Sequence, residues 1–117
     1  AHAIEVKNNY SKNITHGEAV LAGIILAIKL SIVKNVCSKK ILMDVMQIYL
    51  DNKLDYTLKK FSNFKNIISL IPFIKNDKKN NDEKINFILI KQIGKTTNPG
   101  QYKLNLREMK KIFPRII

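Results

Sequence analysis

Thr15-His16-Gly17-Glu18-Ala19-Val20-Leu21-Ala22-Gly23-Ile24-Ile25-Leu26 begins the longest apolar run of the chain, and its reading decides the fold. Thr15 and Glu18 stand three residues apart, the spacing at which a hydroxyl and a carboxylate cap the first turn of a helix reciprocally. The apolar residues that follow, through Ile28, Leu30, Ile32 and Val33, occupy nearly every side of a helical wheel. A helix apolar all round belongs inside a domain, so a helix over 16–35 is predicted to lie at the centre of a bundle. Lys29 and Lys34 interrupt the run, and its 17-residue core over 20–36 is marginal for crossing a bilayer. A buried core helix is the better reading, with no membrane partner.

His16 falls at the first helical position. Unsatisfied N–H groups and the positive end of the helix dipole favour a neutral imidazole there. A neutral imidazole can give its lone pair to a metal, and Gly17 removes side-chain bulk beside it. By itself this is weak, since a histidine near a helix start is more often packed or solvated. Glu18 is better explained by capping than by acid–base chemistry.

Outward from this helix, the polar stretch over 8–13 reads as a loop. Ser38 is placed to cap a second helix through residue 51, with Ile41, Val45, Ile48 and Tyr49 toward the core. Asp55 or Thr57 starts a third, with Leu58, Phe61 and Phe64 at helical spacing; a short fourth over 67–76 has Pro72 in its first turn or at a break. Past Lys79 the pattern changes. Residues 85–92 read as one strand, Gly94 and Asn98-Pro99-Gly100 as turns, and a short second strand is placed at 101–103. Asn105 can cap a last helix over 106–113 that Pro114 stops. The fold class is mainly α: a multihelical domain with a small β element near its C-terminal end.

The chain of 117 residues is large enough for one core and not for two, so residues 1–117 form a single domain. A lone Cys37 excludes an internal disulfide and suits a reducing, cytoplasmic setting. No histidine or asparagine stands near it in sequence as a catalytic partner. The net charge is +12, but lysine supplies 19 of the 21 cations, in pairs dispersed over several elements. A lysine, asparagine and isoleucine bias of this kind can come from AT-rich coding. Nucleic-acid binding calls for a contiguous basic stripe, so no nucleic-acid partner is expected. Attraction for a small phosphorylated acid remains.

His2-Ala3-Ile4-Glu5, Thr15 to Val20, Asp77-Lys78-Lys79, and Ile85 to Ile90 running into Ile93-Gly94 follow one another in that order. The order resembles the C-terminal domain of the 3-dehydroquinate synthase family. That family carries Gly-His-x-x-Gly-His-Ala-x-Glu, then His-Gly-Glu-Ala-Val, then Asp-Lys-Lys, then an apolar strand ending in Ile-Gly. Each motif alone is weak; four in order are fairly specific, and they cover the chain from His2 to about Phe113. The start at Ala1, inside the first motif, reads as a fragment lacking the N-terminal nucleotide-binding domain.

The resemblance implies a role for each matched residue. His16 becomes a ligand of a catalytic divalent metal, zinc or cobalt, whose other ligands are not in this chain. His2 becomes a substrate-contacting histidine that assists proton movement. A lysine of the Asp77-Lys78-Lys79 motif faces the substrate, Lys78 in preference to Lys79, while Asp77 and Glu5 are structural. It further implies NAD as a second cofactor and a phosphorylated sugar acid as substrate. The activity is conversion of 3-deoxy-D-arabino-heptulosonate 7-phosphate to 3-dehydroquinate and phosphate, in a homodimeric intact enzyme, with the fragment inactive alone. Other sugar-phosphate cyclases share the metal motif, a metal-dependent alcohol dehydrogenase fits it less well, and a basic nucleic-acid-binding module is the alternative from another class.

Overall fold

A computed structural model describes residues 16–54 and 84–116 of the chain. The expected third and fourth helices, with Pro72, lie outside the described residues. Among the described residues there are three α-helices, α1 (His16–Val33), α2 (Lys39–Asp51) and α3 (Leu106–Ile112), and a small β element made of β1 (Lys84–Phe87), β2 (Ile90–Gln92), β3 (Lys95–Thr96) and β4 (Tyr102–Asn105); α1 packs on α2 and β2, and α3 on β4. A 3-10 turn, Phe113–Ile116, follows α3. The mainly helical class with β structure near the C-terminal end is the one the sequence predicts.

α1 begins at His16 and ends two residues before the predicted boundary. Its end is fixed by backbone geometry. Asn35 adopts a left-handed conformation (φ 58°), its N–H donates to Ile32 O at 3.0 Å, and the Val36 N–H donates to Ser31 O at 2.8 Å. This is a Schellman motif, and asparagine is the non-glycine residue that best tolerates it. α2 closes in the same way around Lys53 (φ 53°), with Lys53 N–H to Leu50 O at 3.1 Å and Leu54 N–H to Tyr49 O at 2.8 Å. Ser38 does take the N-cap position of α2, in extended conformation, but its side chain makes no capping hydrogen bond.

α1 is shared by two packing surfaces. Ala19, Ala22 and Leu30 join Ile85, Leu89, Leu104, Met109, Ile112, Phe113 and Ile116 in one core cluster. Ile25 and Ile28 are buried as well. Length and composition alone would let α1 cross a membrane. A third of it is buried among the described residues, and Ala19, Ala22 and Leu30 of that third pack into the core cluster. On the α2 side, buried Tyr49 reaches across and its hydroxyl donates to Leu21 O at 3.1 Å. The inward set predicted for α2 is only partly realised. Ile41 and Val45 are half-buried, and Ile48 is 48% exposed. Consecutive helical residues point 100° apart, so with Tyr49 turned to α1, Ile48 turns away.

The predicted strand over 85–92 is divided between two partners. β1 pairs antiparallel with β4, placing Ile85 opposite Leu104 and Phe87 opposite Tyr102. β2 pairs instead with β3, with an irregularity between Ile90 and Gln92. Leu89 causes the change of direction. Its N–H donates to Thr97 Oγ1 at 2.9 Å, and Thr97 N–H donates back to Leu89 O at 2.8 Å. Asn98-Pro99-Gly100-Gln101 closes with Gln101 N–H on Asn98 O at 3.1 Å. Proline second and a positive-φ glycine third (Gly100, 79°) are what a type II turn demands. The second strand is longer than predicted and runs directly into α3.

The start of α3 is held by a full capping box. Glu108 N–H donates to Asn105 Oδ1 at 2.8 Å, and Asn105 N–H donates to Glu108 Oε1 at 3.5 Å. The α-helix stops at Ile112, one residue before the predicted end. Pro114 lies inside the following 3-10 turn rather than ending helical structure outright, and Phe113 and Ile116 are buried there.

Candidate metal and substrate site

His16 is the first residue of α1, and its side chain is exposed. Gly17 is exposed beside it, Glu18 is half-buried, and Ala19 is completely buried. Within four residues the chain therefore passes from solvent to core. The imidazole is carried on a helix anchored from its first turn, which suits a group that must stay in place while facing a ligand.

The other expected site residues, His2, Lys78 and Lys79, lie outside the described residues, as do Glu5, Asp77 and the capping partner Thr15. Among the described residues no group of three or more His, Cys, Asp or Glu could hold a metal ion. One exposed imidazole fits the chemistry of a single nitrogen ligand and leaves the remaining ligands to come from elsewhere. Cys37 is half-buried, and burial pushes its thiol up from the ordinary range. A thiol held protonated is a poor nucleophile, which agrees with the sequence reading.

The far end of α1 carries features that motif reading overlooked. Ser31 is fully buried; its hydroxyl donates to Ala27 O at 2.6 Å and accepts from the Ile90 N–H at 2.9 Å. Lys34 pairs with Glu108 at 3.6 Å. The helix that begins with His16 is thus tied to β2 and α3 through side chains. The only signal in the sequence was a hydroxyl placed within an otherwise aliphatic run.

These elements define a helical domain that presents a histidine at the mouth of its central helix. The chain belongs to the 3-dehydroquinate synthase C-terminal family, which it matches over residues 1–80. It is 36% identical over 108 residues to 3-dehydroquinate synthase of Pelagibacter ubique, covering 92% of this chain and 28% of that protein. With the 3-dehydroquinate synthase of Endomicrobium trichonymphae it shares 40% identity over 98 residues, 84% of this chain and 26% of that protein. With that of Dictyoglomus thermophilum it shares 38% over 94 residues, 80% and 25% respectively. The chain thus spans little more than a quarter of the length of these curated relatives. No solved structure gives a significant match.

Proposed function

We propose that this chain acts as the C-terminal domain of a 3-dehydroquinate synthase, converting 3-deoxy-D-arabino-heptulosonate 7-phosphate to 3-dehydroquinate and phosphate. The observation that carries this reading is the family match over residues 1–80, which contains His2, His16, Lys78 and Lys79 together. The setting is the cytoplasm and the intact enzyme a homodimer, in keeping with a single thiol and a biosynthetic role.

When bound, a divalent metal (zinc or cobalt) supplies Lewis-acid polarisation of substrate oxygens, and NAD supplies hydride transfer. His16 contributes one nitrogen ligand from the anchored start of α1. His2 contacts the substrate and moves a proton, work for which an imidazole is suited near neutral pH. Lys78, or Lys79 beside it, offers an ammonium to the substrate's phosphate or carboxylate. No residue of this chain is assigned to NAD.

One metal-ligating imidazole, a second histidine and a lysine pair do not make a complete catalytic site, so the isolated chain is inactive. The test is phosphate release from the heptulosonate 7-phosphate. Residues 1–117 alone give none. A chimera in which they replace the matching C-terminal segment of the Pelagibacter ubique enzyme releases phosphate. A soluble, folded chimera without turnover contradicts the assignment.

A further inference from the structure

α1 is held differently at its two ends. At the far end, the buried Ser31 hydroxyl accepts from the Ile90 N–H at 2.9 Å, and Lys34 pairs with Glu108. Ile25, Ile28 and Leu30 are buried over the same half of the helix. Branched side chains of this kind form the ridges that interlock with neighbouring elements and resist rotation about the axis. At the His16 end the first buried residues are Ala19 and Ala22, 0% and 2% exposed. An alanine methyl excludes water but raises no ridge.

Tyr49 meets this smooth end from the side. It is buried on α2, the helix packed beside α1. Its hydroxyl donates to Leu21 O at 3.1 Å. Its own backbone is fixed in turn, since Leu54 N–H donates to Tyr49 O at 2.8 Å in the motif that ends α2. Leu21 stands five residues after His16, about 7.5 Å along the helix axis. A hydrogen bond weakens steeply when donor and acceptor fall out of line. The Tyr49 bond therefore opposes the rotation and sliding that two alanine contacts leave soft. The size of the effect matters for an imidazole carried on the helix. At a side-chain radius of about 5–6 Å, a rotation of about 10° moves it by about 1 Å. A productive ligand must be held to within about 0.5 Å.

We propose that Tyr49 is a positioning residue for the His16 imidazole. Its hydroxyl, acting through Leu21 O, sets the rotation of the first turns of α1 and with it the direction of the metal ligand. This inference rests on the reading of His16 as a ligand given above.

The test compares Tyr49→Phe, Ser31→Ala and His16→Ala in the Pelagibacter ubique chimera. Cobalt(II) affinity is measured by competition with a chelator, and the visible spectrum of the bound cobalt reports its ligand field. Tyr49→Phe removes one oxygen and keeps the buried ring, and circular dichroism checks that each variant is folded. Ser31→Ala breaks a tie at the far end of α1, about 22 Å from His16 along the axis. Tyr49→Phe is expected to weaken cobalt binding by about 5- to 10-fold, less than the loss of a group bonded directly to a ligand, and to shift the cobalt bands. Ser31→Ala should change affinity by less than about 2-fold and leave the bands in place. Parental affinity and spectrum in Tyr49→Phe, with the metal lost in His16→Ala, overturn this inference and leave the ligand reading standing. Equal loss in Tyr49→Phe and Ser31→Ala makes the tyrosine a general stabiliser and overturns it as well. Retention of the metal by His16→Ala overturns the ligand reading itself, and this inference with it.

Discussion

Ser31 and Ile90 are joined by a hydrogen bond of 2.9 Å from the Ile90 N–H to the Ser31 hydroxyl, and the same hydroxyl donates to Ala27 O. One side chain thus closes the backbone needs of β2 while bonding back onto α1. Replacing Ser31 with alanine leaves the Ile90 N–H without this acceptor. Ser31→Ala is expected to cost about 1–3 kcal/mol of stability, read as a lower urea midpoint with an unchanged m-value. A midpoint equal to that of the parent would show that water replaces the bridge without loss.

The capping box of α3 separates two contributions that meet at Glu108. Asn105→Ala removes the side chain that accepts the Glu108 N–H and should cost about 1 kcal/mol. Lys34→Met removes only a solvent-exposed ion pair and should cost less than about 1 kcal/mol. Chemical denaturation of the two variants under the same conditions gives the ranking, and the reverse order would put the ion pair ahead of the cap.

Lys53 holds a left-handed conformation that favours glycine. Relief of that conformation in Lys53→Gly should raise stability by up to about 1 kcal/mol, less the entropy that glycine adds to the unfolded chain. The gain should appear as a higher melting temperature. Asn35→Gly should change stability less, because asparagine already tolerates this geometry.

Much of this architecture could be read from residue order. The apolar run after His16 marked the end of α1 to within two residues, and Asn98-Pro99-Gly100 marked a turn whose type its residues dictate. Asn105 was recognised as a cap from its place before an apolar-periodic segment. The division of residues 85–92 into β1 and β2 was not legible. A continuous apolar run such as Phe87 to Ile90 does not record the strand with which each residue pairs, and the switch depends on Thr97 and Ser31, distant in sequence. The turning of Tyr49 inward and Ile48 outward was hidden for a similar reason, since both are large and apolar. Of the candidate site, the position of His16 at the first turn of an anchored helix was legible. The companions a metal needs come from other segments, which periodicity cannot bring together.

Tyr49 and Cys37 give the domain an alkaline limit. Burial raises the phenol of Tyr49 and the thiol of Cys37 above their ordinary values. A folded-state value above the unfolded one means the native state holds its proton more tightly. The resulting stability is present below the unfolded pKa and is lost as pH rises through the folded value. Unfolding free energy should therefore fall as pH climbs through the ordinary thiol and then the phenol range. Tyr49→Phe also loses the hydrogen bond to Leu21 O. It should be less stable by about 1 kcal/mol at neutral pH and show a flatter alkaline decline. A decline of unchanged steepness in a Tyr49→Phe, Cys37→Ala double variant would assign it to other groups.

The most direct test of the functional account is the metal content of the Pelagibacter ubique chimera with and without His16. The chimera should carry a divalent ion, measured by elemental analysis after exhaustive dialysis, and release phosphate. His16→Ala should weaken metal retention by more than ~100-fold and abolish turnover, with the far-ultraviolet circular dichroism unchanged. A folded His16→Ala chimera that keeps both its metal and its turnover would contradict the assignment of His16 as a ligand.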